Sequence, residues 1–373
     1  MHTKKVIITG VTGQDGSFMA DYLLKNTDHI IVAGVRRLSV PNHKNIQHLL
    51  DNPRFKLIDL DITDSINTSL IIREENPDYF INFAANSFVG NSWKMPVNHF
   101  TSNCLSVLYQ LEGIRKYAPN CRYYNAGSSE EFGDVVTVPQ DENHPLRPRS
   151  PYGAAKASAR HLVKVYRDSY NLYAIQGWLF NHEGTRRGEE FVTRKITKAV
   201  ARIKHAIENK LPFEPLELGN LDATRDWSDA EDFVDGVWRM LNQEKYWPSA
   251  TASIIPIGQE YKVIEEYVLS SNETHSIKEF VELAFEAAGI QGTWVGENLD
   301  TLYLLPNAES EYCDFASIEL VKINPKFYRP AEVDILYGDS SKARSELKWS
   351  PKTSFKQLID KMVKHDIIEH GQG

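Results

Sequence analysis

Short apolar runs rich in branched side chains recur through the first half of the chain, and a stretch of helical period follows most of them. "KVIIT" ends at a glycine, as a buried parallel strand would. A helical pattern through "SFMADYLLKN" comes next, then a second strand, "HIIVAGV". "RFKLIDL" and "DYFINFAA" predict two further strands, with "SINTSLIIREE" and "VNHFTSNCLSVLYQLEGIRKY" as crossover helices. "CRYYNAGS" and "YAIQGWLF" predict the fifth and sixth strands, on either side of a helix that opens at "SPYGAAK". Repeated strand–helix units predict an α/β fold with a doubly wound parallel sheet. After residue 180 the period loosens: turn-rich stretches separate helices predicted over 191–208 and 229–242, and 247–266 reads as an insertion. A smaller second lobe, built mostly from residues after 180, is expected.

Composition narrows the class. A net charge of −8 argues against a general nucleic-acid binder. No apolar run reaches the roughly 18 residues that span a bilayer. Cys104, Cys121 and Cys313 are odd in number and far apart, so they form neither a disulfide framework nor a metal-ligand spacing. The opening "MHTKKVIITG" moves straight into a strand without a signal-peptide pattern. The expectation is a cytoplasmic protein with no nucleic-acid, membrane or metal partner.

Candidate chemistry begins at "TGVTGQDGS", where Gly10, Gly13 and Gly16 lie between a strand and a helix. Glycines there permit a tight turn and let a pyrophosphate approach the helix N-terminus. No lysine follows the last glycine, which excludes a triphosphate-clamping loop. At the end of the second strand an acidic residue would hold the ribose hydroxyl of NAD; the chain has Arg36 and Arg37 instead, suited to a 2′-phosphate, so NADP is expected. Asp61, after the third strand, is placed to accept from the adenine amine. "NAGSSEEFG" brings Ser128, Ser129 and Glu130 to the carboxyl end of the fifth strand, where open α/β sheets bind ligands. In "RSPYGAAKASAR", Ser150 can cap a helix and Pro151 fits its first turn, which puts Tyr152 and Lys156 on one face. Alone, such a pair reads as surface decoration; beside a dinucleotide loop it reads as an acid–base centre.

These motifs together resemble an extended short-chain dehydrogenase/reductase. "FNHEGTRRGEEFVTRKI", "LGNLDATRDW" and "YRPAEVDILYGDSSKARSELKWSP" are similar, more narrowly, to the GDP-mannose 4,6-dehydratase family, from about residue 4 to 365. The resemblance implies that Tyr152 is the catalytic acid–base, that Lys156 orients the nicotinamide ribose, and that Ser128 and Glu130 complete the centre. It implies NADP contacts at Gly10, Thr12, Gly13, Gln14, Asp15, Gly16, Arg36, Arg37, Asp61, Ile62, Ala84, Ala85, Ser87, His182 and Arg187. Asn181, Lys195 and Arg225 would approach a GDP-sugar, with Arg329 and Glu332 at its GDP end. The expected domains are an NADP-binding unit over 1–182, rejoined by about 221–247 and 266–272, and a nucleotide-sugar lobe over 183–373. A homodimer or homotetramer is implied. The chain departs from the family pattern at Ser128, where threonine is common, at Asn86, where glutamine is usual, and in an extra acid, Glu131. Besides a dehydratase forming GDP-4-keto-6-deoxy-mannose, the same scaffold would suit an NADPH-dependent reductase of a GDP-keto-sugar, a dehydratase of a GDP-linked heptose, or a dinucleotide-sensing binder.

Overall fold

A computed structural model of the chain describes residues 3–243, 264–306, 318–327 and 335–371. Arg329 and Glu332 lie outside these residues, as does most of the 247–266 stretch. The first half alternates β1 (Lys5–Thr9), α1 (Gln14–Asn26), β2 (Ile30–Val35), β3 (Phe55–Asp59), α2 (Ser65–Glu75) and β4 (Tyr79–Asn82). After a short α3 (Val89–Ser92), the segment predicted as one long helix runs without a break as α4 (Pro96–Phe100), a π turn over Thr101–Leu105 and α5 (Ser106–Tyr117). β5 (Arg122–Ala126), α6 (Pro151–Tyr170) and β6 (Ala174–Leu179) complete it. The second half contains β7 (Asn181–Glu183), α7 (Val192–Glu208), β8 (Leu216–Leu218), β9 (Thr224–Arg225), β10 (Trp227–Asp229), α8 (Ala230–Leu241) and β11 (Val268–Leu269). After these come β12 (His275–Ser276), α9 (Ile277–Ala287), β13 (Thr293–Val295), β14 (Leu302–Leu305), β15 (Ile318–Ile323), β16 (Ile335–Leu336), α10 (Ser341–Glu346) and α11 (Phe355–Gly371).

The main sheet has seven strands in the order β11-β6-β5-β4-β1-β2-β3, every pair parallel. Alternate residues of β1 explain its two covered faces. Val6 and Ile8 pack with Met19 and Leu23 of α1 and Phe233 and Val237 of α8, whereas Ile7 packs with Leu111 and Ile114 of α5 and Val163 of α6. A second core gathers Ile196, Val200 and Ile203 of α7, Phe280 of α9 and Phe355 and Ile359 of α11 against Leu320 and Val321 of β15. Spacings of three and four along α7 and α11 put those side chains on one helix face.

Caps set where the helices start. Asp64 accepts from the amides of Ile66 and Asn67 to open α2, and Ser150 accepts from Gly153 N at 3.0 Å to open α6 at Pro151. The π turn widens the helix where Ser102 and Asn103 hold the loop after β4. Asn86 N donates to Asn103 Oδ1 at 2.9 Å, and Asn103 Nδ2 returns a bond to Asn86 O at 3.0 Å.

A polar ladder crosses the sheet near the carboxyl ends of its strands. Thr9, Asn82, Asn125 and Gln176 are register partners on β1, β4, β5 and β6, and all four are buried. Thr9 Oγ1 donates to Asn82 Oδ1 at 2.5 Å, Asn82 Nδ2 to Asn125 Oδ1 at 2.7 Å, and Asn125 Nδ2 to Gln176 Oε1 at 2.7 Å. Each amide uses its carbonyl on one neighbour and its NH₂ on the next, so the chain of bonds has one direction. Asn125→Ala would strand the Asn82 donor and the Gln176 acceptor in the interior. An unmet buried polar group costs about 1–3 kcal/mol, so this variant is expected to lose at least about 2 kcal/mol of stability in urea denaturation. A change within experimental error would show that the ladder carries no such weight.

Candidate active site

β1 ends in a loop that only glycines can build. Gly10 has φ +69°, and a Cβ on it would sit 2.6 Å from Ala84 N in the loop after β4. A Cβ on Gly16 would sit 2.4 Å from Gly10 O, so the first turn of α1 lies against the loop. Gly13 is the N-cap of α1 and offers no side-chain bond, which leaves the first amides of the helix open to an anion. Thr12 lends its carbonyl to Asn45 Nδ2 at 2.9 Å.

Asp15 places a carboxylate in that first turn, and His182 answers it. Nε2 of His182 lies 2.9 Å from Asp15 Oδ2, and Nδ1 lies 2.7 Å from the Phe180 carbonyl. Both neighbours only accept, so both ring nitrogens donate and the ring is an imidazolium. Burial is the largest influence on each group and disfavours its charge. The mutual attraction and hydrogen bond, with a further bond from Gln14 Nε2 to Asp15, outweigh it: the Asp15 carboxyl falls to about 2 and the His182 ring is raised. Gln14 Nε2 also reaches the His182 carbonyl at 3.0 Å, and the ring stacks on Phe233 with centroids 4.6 Å apart.

Arg36 and Arg37 are exposed just past β2. Past β3, Asp61 Oδ1 accepts from Thr63 N and Oγ1, and Ile62 is buried. Ala84, Ala85 and Ser87 form the loop after β4, where Ala84 N reaches Thr9 Oγ1 at 3.4 Å.

The strand-end turn after β5 is a short 3₁₀ segment, Ser129–Glu131, with Ser128 as its N-cap. Ser128 Oγ accepts from Glu130 N at 3.2 Å, and Ser128 N donates to Glu131 Oε1 at 2.8 Å, a reciprocal capping box. Ser128 and Glu130 both act on the Tyr152 phenol, Ser128 favouring its charged form and Glu130 opposing it, so residues 128, 130 and 152 share one site. Lys156 donates to the Ala126 carbonyl at 2.7 Å, its Nζ 5.8 Å from the Tyr152 ring centroid. Burial pulls the Lys156 ammonium down to about 8 against the opposing pull of Glu131 and Asp15. Burial also pushes the Tyr152 phenol up, beyond what Ser128 and the Arg187 charge can offset. In the protein alone, then, Lys156 does not bring the phenol down.

The arginine-rich stretch is largely committed within the chain. Arg186 pairs with Asp21 at 2.7 Å, Arg187 with Glu183 at 3.0 Å, and Arg194 with Asp366 at 2.7 Å. Arg194 also lies 3.3 Å from Glu369, so the close group His365, Asp366 and Glu369 already has its cation. Lys195 donates to the Glu217 carbonyl at 2.7 Å, lies 3.5 Å over the Phe327 ring, and lines a cavity of about 690 Å³ with Leu216, Glu217 and Phe327. That cavity lies along α7 and β8, and the Tyr152 group does not line it. Asn181, on β7, has a buried side-chain oxygen with no hydrogen-bond partner in the protein. Arg225 lies on β9, its Nη1 bonded to Thr224 O at 2.7 Å. No helix among the described residues is long and apolar enough to cross a membrane.

Sequence reasoning missed the group behind the turn. Glu131 is fully buried, 2.5 Å from Arg160 Nε, and Arg160 also binds Glu266 at 2.7 Å. The available signal was spacing: Tyr152, Lys156 and Arg160 recur every four residues along α6.

The sheet order, glycine loop and paired Tyr152 and Lys156 define an extended short-chain dehydrogenase/reductase. Among solved structures the chain is similar to the UDP-glucose 4-epimerase of Thermotoga maritima with UDP-glucose, with a TM-score of 0.75 at 20% identity over 99% of this chain and 100% of that one. It is also similar to the dTDP-glucose 4,6-dehydratase of Bacillus anthracis in complex with NAD, with a TM-score of 0.72 at 20% identity over 97% and 96%. The family model for GDP-mannose 4,6 dehydratase matches residues 7–362. The GDP-mannose 4,6 dehydratase of Drosophila melanogaster is 42% identical over 372 residues, 98% of this chain and 86% of that protein. The chain belongs to the GDP-mannose 4,6-dehydratase family.

The Asp15–His182 pair has a pH signature. Asp15, lowered on folding, contributes stability above the ordinary carboxylate value near 4 and loses it as pH falls toward about 2. His182, raised on folding, contributes below the ordinary imidazole value near 6.5 and loses it as pH rises past its own. The thermal midpoint of the chain should therefore exceed that of His182→Phe by most between about pH 4 and 6.5, narrowing on both sides. A difference flat across pH would rule out the charged pair.

Proposed function

We propose that the chain is an NADP-dependent lyase that converts GDP-mannose to GDP-4-keto-6-deoxy-mannose with loss of water. The observation that carries this reading is the meeting of Ser128, Glu130 and Tyr152 at the end of β5, with Lys156 beside them on α6. The uncapped start of α1 and the contacts at Gly10 and Gly16 suit a pyrophosphate, and Arg36 and Arg37 suit a 2′-phosphate. The lone buried oxygen of Asn181 suits a sugar hydroxyl, and Lys195 and Arg225 suit a diphosphate. The resemblance adds Arg329 and Glu332 at the GDP end and a cytoplasmic homodimer or homotetramer.

The C5 proton of a hexose is not acidic until C4 is a ketone, so oxidation has to come first. Tyr152 takes the C4 hydroxyl proton on its phenolate oxygen, and Ser128 Oγ holds the C4 oxygen in place. Bound NADP would supply a hydride acceptor and donor and a positive ring that favours the phenolate. Lys156 adds a second positive charge on the other side of that balance. Glu130 then removes the C5 proton, which has become α to the carbonyl, and the C6 hydroxyl leaves as water with a proton from Glu130 or a relay. Tyr152 releases the C4 hydroxyl proton to solvent, Glu130 takes one up in place of the proton lost with the water, and its carboxyl then protonates C5.

The test is to incubate GDP-mannose with the protein and no added NADPH, then weigh the product. Loss of one water supports the reading; turnover of only a GDP-keto-sugar, consuming stoichiometric NADPH, replaces it with a reductase. In Glu130→Gln the elimination rate should fall at least about a hundredfold while C4 oxidation persists. Elimination at the unaltered rate would remove Glu130 from the mechanism. Arg36→Ala with Arg37→Ala should weaken NADP binding by about tenfold or more and leave NAD binding within about twofold, since each charge-assisted bond contributes roughly 1.5–3 kcal/mol. Equal losses for both dinucleotides would show that the arginines do not read the 2′-phosphate.

A further inference from the structure

Glu131 is acidic, fully buried, and one residue beyond the carboxylate assigned to the C5 proton. Arg160 reaches both of its oxygens, Nη2 lying 3.4 Å from Oε1, and Oε1 also meets the turn and the ladder. Oε1 accepts from Ser128 N at 2.8 Å and from Gln176 Nε2 at 3.0 Å; Oε2 takes Arg160 Nε at 2.5 Å. Gln176 is the last rung of the ladder that starts at Thr9, so Glu131 receives the end of a bond chain crossing β1, β4, β5 and β6. Arg160 is fixed in turn. Its Nη1 donates to Gln176 O at 2.6 Å and Glu266 Oε2 at 2.7 Å, its guanidinium lies 3.4 Å from the Trp178 ring centroid, and Arg167 holds the other Glu266 oxygen at 2.9 Å.

This much buried charge is weak evidence of a stability role, because apolar residues of similar volume often fold as well or better. An apolar side chain at 131 could not accept the Ser128 amide. The Ser128 side chain is bonded to Glu130 N and acts on the Tyr152 phenol, so the orientation of that amide sets where the hydroxyl sits.

We infer that Glu131 is a positioning residue: clamped by Arg160 and Gln176, it holds the turn through the Ser128 amide and so sets Ser128 and Glu130 against Tyr152. This rests on the dehydratase reading above, and it concerns a residue that touches neither substrate nor cofactor.

Glu131→Leu alone would leave Arg160 short of a carboxylate and could fail to fold. Two double variants separate positioning from folding. Glu131→Leu with Arg160→Met removes both charges and the acceptor. Glu131→Gln with Arg160→Met removes both charges and restores an acceptor for Ser128 N. Both should fold, by circular dichroism, and bind NADP and GDP-mannose within about twofold of the unaltered chain, as a change confined to transition-state geometry would. The Leu/Met pair should lose about tenfold or more in kcat with KM little changed, and the Gln/Met pair should recover most of that loss. Amide exchange over residues 127–131, read without substrate, should quicken in the Leu/Met pair and slow again in the Gln/Met pair. A folded Leu/Met pair with kcat within about twofold of the unaltered chain, or with unchanged exchange, overturns the inference. So does a Gln/Met pair no better than Leu/Met. Absence of turnover in the unaltered chain overturns the dehydratase reading instead, and the exchange data still decide this one.

Discussion

A buried ammonium is the constraint around which the site is arranged. Lys156 is 4% exposed and binds one carbonyl, Ala126 O, so its charge has to be supported by neighbours. Two carboxylates, Glu131 and Asp15, act on it through space. Neither stands alone: Arg160 balances Glu131, and the His182 imidazolium balances Asp15. Each carboxylate also belongs to one half of the site, Asp15 to the first turn of the dinucleotide helix and Glu131 to the turn after β5. The lysine thus links the two halves electrostatically, while the amide ladder from Thr9 to Gln176 links them through bonds. Removing Arg160 or Glu131 would leave charge unbalanced in the buried interior.

That arrangement explains why a phenol with an unfavourable acidity can still serve. Burial, with the acids at 130 and 131, raises the Tyr152 phenol in the protein alone, against the opposing pull of Ser128 and Arg187. A positive nicotinamide ring bound beside Tyr152 would favour the phenolate. The environment separates the acids as well: Glu131 is enclosed and structural, whereas Glu130, its neighbour in sequence, shares the site with Tyr152.

Much of this was legible from residue patterns. Glycine spacing, the switch from alternating strands to helical period, and the cap–proline start of α6 are local signals, and the structure follows them closely. The 3.6-residue period could not show the π turn, because Ser102 and Asn103 there bond to Asn86, in a loop outside the helix. Nor could spacing show that Arg186 and Arg194 pair within the chain, since Asp21 and Asp366 are distant in sequence. Glu131 was visible as an extra acid, but its meaning depended on Arg160 from α6, Gln176 from β6 and Glu266 from before β11 meeting at one point. Tertiary partners of buried polar residues are what one strand or helix read in isolation does not contain.

The central claim is that one site oxidises C4 and reduces C6 of the same sugar molecule. GDP-mannose carrying deuterium at C4, mixed with unlabelled GDP-mannose and turned over without added cofactor, tests it by NMR of the product. The account predicts deuterium at C6 of the molecules that began with it at C4, with none in the free dinucleotide pool. Deuterium released to water, or scattered among unlabelled molecules, would contradict it.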